Sequence, residues 1–126
     1  MADTDIDTDR VAADAATAWT EVCELEHIVV DTGVCALVAG RQVAVFRLRD
    51  GSVHAISNVD PFSGAGVLSR GIVGDRRGVA MVASPLYKQA FDLRTGECLD
   101  DPSVAVPVHD VLVSDGVVLV SDEPLT

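Results

Sequence analysis

Apolar and polar positions alternate in short bursts along most of the chain, and Gly, Asp, Pro and Ser separate the bursts. "TEVCEL" reads as a strand with Cys23 and Leu25 on the face turned inward. "VCALVAGRQVAVFRLRDGSVHAIS" reads as three strands joined by two hairpin turns. Ala39-Gly40-Arg41 makes the first turn, and Asp50-Gly51, a strong hairpin dipeptide, makes the second. A long loop follows from Asn58 to about Leu68, then a strand at "GVAMVAS". Phe91-Asp92-Leu93 is a short strand closed by Arg94-Thr95-Gly96, and "VAVPVHDVLVSDGVVLVS" gives two strands around Ser114-Asp115-Gly116. The spacing predicts about nine or ten short strands with turns roughly every 8–12 residues, an all-β antiparallel sandwich or barrel. No helix of length and no internal repeat is evident.

Residues 1–18 break this pattern. "MADTDIDTDRVAADAATA" mixes five Asp and one Arg with small residues and has no bulky apolar face, so it reads as a disordered or marginally helical tail. The β domain is expected over 19–126.

Composition agrees with the pattern. Val accounts for 22 of 126 residues, and β-branched side chains favour pleated surfaces over helices. There is no run of about 18 apolar residues to cross a membrane, and the acidic N-terminus lacks the features of a signal peptide. A cytoplasmic location is the default expectation. The net charge of −11, with nine Lys plus Arg, argues against nucleic acid and against anionic membrane surfaces as partners.

The residues that usually carry chemistry are scattered. Cys23, Cys35 and Cys98 form no CxxC pair and read as small buried hydrophobes. His27, His54 and His109 have no metal-ligand spacing and read as ordinary surface or partly buried side chains. Ser84 lacks a nucleophile frame. The glycines of "SGAG" and "RGIVG" form no phosphate-binding fingerprint and are expected to serve turns.

Two loops stand out, "SNVDPFSGAGVLSRGIVGD" and "ASPLYKQAFDLRTGECLDDPS". Their pairing resembles the Rieske fold, in which one loop supplies Cys-x-His and the other Cys-x-x-His to a [2Fe–2S] cluster. On this sequence the ligand positions fall on Asp60 and Phe62, then on Ser84 and Tyr87. The surrounding frame is kept, with Asn58, Gly64 and Leu68 about the first pair, Pro85-Leu86 inside the second, and Phe91-Asp92-Leu93 and Thr95-Gly96 after it. The ligands are not kept. A Ser hydroxyl is neither soft nor anionic, and Phe62 has no lone pair. Tyr87 becomes a donor only on losing a proton whose ordinary pKa is about 10. Asp60 alone does not hold a cluster, so no iron–sulfur centre and no metal are expected in this chain.

A narrower resemblance covers roughly residues 19–121. "SNVDPFSGA", "SRGIVGD", "ASPLYKQ", "DLRTGECLDDPS" and "VPV" are similar to the small subunit of bacterial assimilatory NAD(P)H-dependent nitrite reductase, a cluster-free Rieske-like protein. The resemblance implies a non-catalytic accessory subunit that associates with a large subunit carrying FAD, siroheme and a [4Fe–4S] cluster, where NAD(P)H reduces nitrite to ammonium. It implies no catalytic or cofactor-binding residue here. Two other readings stand beside it: a stand-alone interaction module of another oxidoreductase, and an electron-transfer Rieske ferredoxin with an atypical cluster. Phe62 and Tyr87 are expected either to pack on each other where a cluster would sit or to form an exposed anchor. With Leu86 and Lys88, the only Lys in the chain, they make the candidate partner interface.

Overall fold

The computed structural model describes residues 18–125, so the acidic segment 1–17 and its expected character lie outside the described residues. Ten strands form three antiparallel sheets. β1 (Trp19–Glu24), β10 (Val117–Ser121) and β9 (Val111–Ser114) make the first. β2 (Thr32–Val38), β3 (Arg41–Arg47), β4 (Val53–Ser57) and β8 (Val108–His109) make the second. β5 (Ile72–Arg76), β6 (Val79–Ala83) and β7 (Ala90–Asp92) make the third. The only helical pieces among the described residues are two 3-10 turns, Leu25–His27 and Leu68–Arg70.

β3 organises the molecule. Its residues Val43, Ala44, Val45 and Phe46 are all fully buried, because successive side chains point to opposite faces and both faces are covered. Val43 and Val45 join Val38, Ala55, Val118 and Val120 in a core beneath the β1–β10–β9 sheet. Ala44 and Phe46 join Ile56, Leu68, Val82, Phe91 and Leu93 in a second core beneath the two loops. The loops therefore stand on a packed floor, which limits how far they can relax.

The predicted hairpins form, with differences that have local causes. Ala39 and Gly40 take positive φ of 49° and 82°, the two-residue turn that matches strand twist. At Asp50-Gly51 the loop instead runs from Leu48 to Ser52, because Asp50 Oδ1 accepts from both the Ser52 N–H and its hydroxyl. Leu25 lies not in β1 but in the first 3-10 turn, and a register shift between Glu21 and Cys23 breaks the alternation read from "TEVCEL". "GIVGD" is no loop: it supplies β5, turned onto β6 by Arg77 and Gly78 at φ of 55° and 84°. β8 separates from β9 to pair with β4.

The cysteines divide: Cys98 is buried, Cys23 half-buried, and Cys35 exposed, which corrects the expectation of three buried thiols. Burial also pushes the Cys23 thiol up from its ordinary value. His109 is fully buried rather than at the surface, with Nδ1 at 2.7 Å from the Ser121 carbonyl.

Asp100 ties the third sheet to the segment after β7. The Ala90 N–H donates to Asp100 Oδ2 at 2.8 Å and the Arg76 guanidinium to Oδ1 at 2.9 Å. These two contacts, the backbone one first, hold its carboxyl below the usual carboxylate range. The unfolded chain therefore takes up the proton first as pH falls, and the stabilisation present at neutral pH disappears as pH drops through the folded value. In thermal melts, Asp100→Ala should unfold below wild type at pH 7, and the two should converge below about pH 4.

Candidate functional site

The first loop leaves β4 and closes on itself through Asn58. This side chain is buried; its Oδ1 accepts from the Ser69 N–H at 2.7 Å and its Nδ2 donates to Gln42 Oε1 at 3.1 Å. The Leu68 N–H also donates to the Asn58 carbonyl, so one residue pins both ends of the loop to β3. Inside it, Asp60 builds a tight turn: its side chain accepts from the Phe62 N–H at 2.8 Å and its carbonyl from the Gly64 N–H at 2.7 Å. Gly64, at φ +76°, is a turn glycine as expected. Gly71 is not, because a Cβ there would collide with the Ala83 carbonyl oxygen, where the end of the first loop crosses the start of the second.

The second loop, Ser84 to Gln89, is equally constrained. The Ser84 N–H donates to the Gln89 carbonyl at 2.9 Å, and the Lys88 N–H to the Ser84 carbonyl at 3.0 Å. Lys88 sits at φ +68°, a region that L residues other than Asn and Asp rarely enter.

One contact joins the loops. The Ser84 hydroxyl donates to Asp60 Oδ2 at 2.6 Å, with both residues fully buried. These are the two positions where thiolates would be needed, and they now satisfy each other. The other two positions part company. The half-buried Phe62 ring lies against buried Phe91, centroids 6.3 Å apart and planes tilted by 46°. Tyr87 is 59% exposed and stands with Leu86 and Lys88 at the tip. Phe62 and Tyr87 thus do not pack on each other: Phe62 turns inward onto Phe91, and Tyr87 is exposed. Among the described residues no carboxylate pairs with Lys88.

A [2Fe–2S] cluster does not fit these residues. Asp60 and Ser84 are committed to one another in a closed, buried hydrogen bond, and Phe62 offers no donor atom. Among the described residues no group of three or more His, Cys, Asp or Glu is placed to hold a metal ion. Sequence reasoning marked all four positions but missed the Asp60–Ser84 bond, which spans 24 residues, and missed Phe91 as the ring that receives Phe62. An acceptor at one thiolate position and a donor at the other was the available signal.

Comparison with known proteins gives the same frame. A family model of the Rieske-like [2Fe-2S] domain matches residues 18–121. The nitrite reductase (NADH) small subunit of Salmonella typhimurium is 48% identical over 101 residues, covering 79% of this chain and 94% of that one. A crystal structure from Mycobacterium tuberculosis assigned as an NADH-dependent nitrite reductase small subunit superposes with a TM-score of 0.81 at 57% identity, over 83% of this chain and 95% of that one. The nitrite reductase [NAD(P)H] large subunit of Klebsiella oxytoca contains a stretch 42% identical over 107 residues, which is 85% of this chain and only 11% of that one. With its two loops locked by Asp60 and Ser84 on a Rieske-like frame, the chain belongs to the nitrite reductase small-subunit family.

Proposed function

We propose that this chain is the non-catalytic accessory subunit of an NAD(P)H-dependent nitrite reductase, docking on a large subunit that carries FAD, siroheme and a [4Fe–4S] cluster and reduces nitrite to ammonium. The observation that carries the reading is the Klebsiella match: a domain similar to this one is part of a large-subunit chain there. Covalent joining makes the encounter intramolecular and raises effective concentration, which profits a domain whose work is done against the rest of that chain. The donor set of the loops supports a structural role and no redox centre in this chain.

The docking surface is the loop tip. Leu86 and Tyr87 offer an apolar and aromatic anchor, and Lys88 a positive charge with no carboxylate partner among the described residues, while Phe62 packs inward on Phe91. The test is co-expression with the tagged cognate large subunit. The two should purify together, and NAD(P)H-dependent nitrite reduction should exceed that of the large subunit alone. Stoichiometric iron and acid-labile sulfide in the isolated chain would instead make it an electron carrier.

A further inference from the structure

Each of the three sheets has two edge strands, and five of the six carry features that discourage pairing with another chain. β1 has the register shift at Glu21/Cys23 and two exposed Glu. β9 is four residues long between Asp110 and Asp115. β5 bears Asp75 and Arg76, β7 has three residues with Phe91 bridged to Cys98, and β8 has two residues behind Pro107. β2 carries none of these. Its seven residues, "TGVCALV", contain no charge and no proline, and the register with β3 is unbroken.

The hairpin fixes which backbone groups are open. Val38 and Arg41 close a two-residue turn and so form a hydrogen-bonded pair. Antiparallel alternation then turns the N–H and C=O of Gly33, Cys35 and Leu37 away from β3. Among the described residues these groups have no partner outside the strand. Their side chains share the face of Phe46, Ala44 and Gln42, the face that bears the loops. Gly33 is roofed by Phe46 and the Ser69 carbonyl, whereas Cys35 is exposed and Leu37 is 70% exposed.

We propose that an extended segment of the large subunit adds to β2 as an antiparallel or parallel strand, beside the end of the first loop. The inference rests on the accessory-subunit reading above. The backbone would supply the hydrogen bonds, and Leu37 and Cys35 a shallow apolar contact. A second copy of the chain is the less suitable occupant, since two molecules of charge −11 repel. In the Klebsiella chain the partner is covalently at hand.

The test uses the purified large subunit and three forms of this chain: wild type, Cys35→Lys, and Leu37→Pro, which removes one outward N–H. Both substituted side chains are exposed, and unchanged melting would confirm that the fold is intact. Hydrogen exchange provides a second measurement on unaltered protein. The expected result is that each variant binds at least about tenfold more weakly, and that the Gly33, Cys35 and Leu37 amides of wild type exchange at least about tenfold more slowly in the complex. The proposal is overturned if wild type binds while both variants bind equally well and the three amides exchange at unchanged rates. It is also overturned if the same amides slow with concentration of this chain alone, which makes a second copy the occupant. Failure of wild type to bind at all removes the accessory-subunit reading, and this inference with it.

Discussion

Asp60→Ala should destabilise the domain by about 2–5 kcal/mol and lower its melting temperature by roughly 10 °C or more. The buried Ser84 hydroxyl and the partly buried Phe62 N–H lose their acceptor at once, and each unmet group costs about 1–3 kcal/mol, the partly buried one nearer the lower end. Ser84→Ala should cost less, about 1–3 kcal/mol, because the Phe62 N–H keeps its acceptor and only Asp60 Oδ2 and the Leu86 N–H, the latter in a long bond of 3.3 Å, lose a partner. The two changes share one hydrogen bond, so the double variant should fall short of their sum. Denaturant unfolding of wild type, both single variants and the double variant measures this coupling. Strict additivity would mean that the bond does not link the loops energetically.

The second large effect separates Phe62 from Tyr87. Phe62→Ala empties space against Phe91 and should lower stability by about 3 kcal/mol or somewhat less, since the ring is only half-buried. Tyr87→Ala removes a side chain that is 59% exposed, so melting should hardly change. Affinity for the large subunit should instead fall by about 2 kcal/mol, some thirtyfold. The Lys88 ammonium has no carboxylate partner among the described residues, so Lys88→Ala should mainly slow association in a salt-dependent way. Melting and titration on the same variants read both quantities. Should Tyr87→Ala bind as wild type does, the tip is not where the large subunit docks.

Local patterns carried most of the fold into view from sequence. Gly64 and the turn residues Ala39-Gly40 act through neighbours within a few positions, so their effect is written in short stretches. β5 escaped because Ile72 and Val73 are only two apolar residues before Gly74 and charged Asp75 and Arg76, too brief for a period-2 signal. Cys35 looked buried because thiols usually are, yet its alternation partner face runs past the end of the roof formed by Ser69. At the site, residue types excluded iron but could not pair Asp60 with Ser84 or turn Phe62 inward and Tyr87 outward. Those outcomes depend on how two loops from different sheets meet, which no local window contains.

The pairing of β1 with β10 joins Trp19 to Ser121, so the first strand of the domain waits for the last. The β2–β3–β4 hairpins are local and can form while the chain is still emerging, whereas closing a loop of this length is entropically slow. Until Val118 and Val120 arrive, the Val43 and Val45 face of β3 lies open beside the undefended edge of β2. The nascent chain therefore passes through a stage in which its stickiest face and its most pairable edge are bare together. That stage sets its exposure to aggregation during synthesis, and truncations ending before Val117 should be held there.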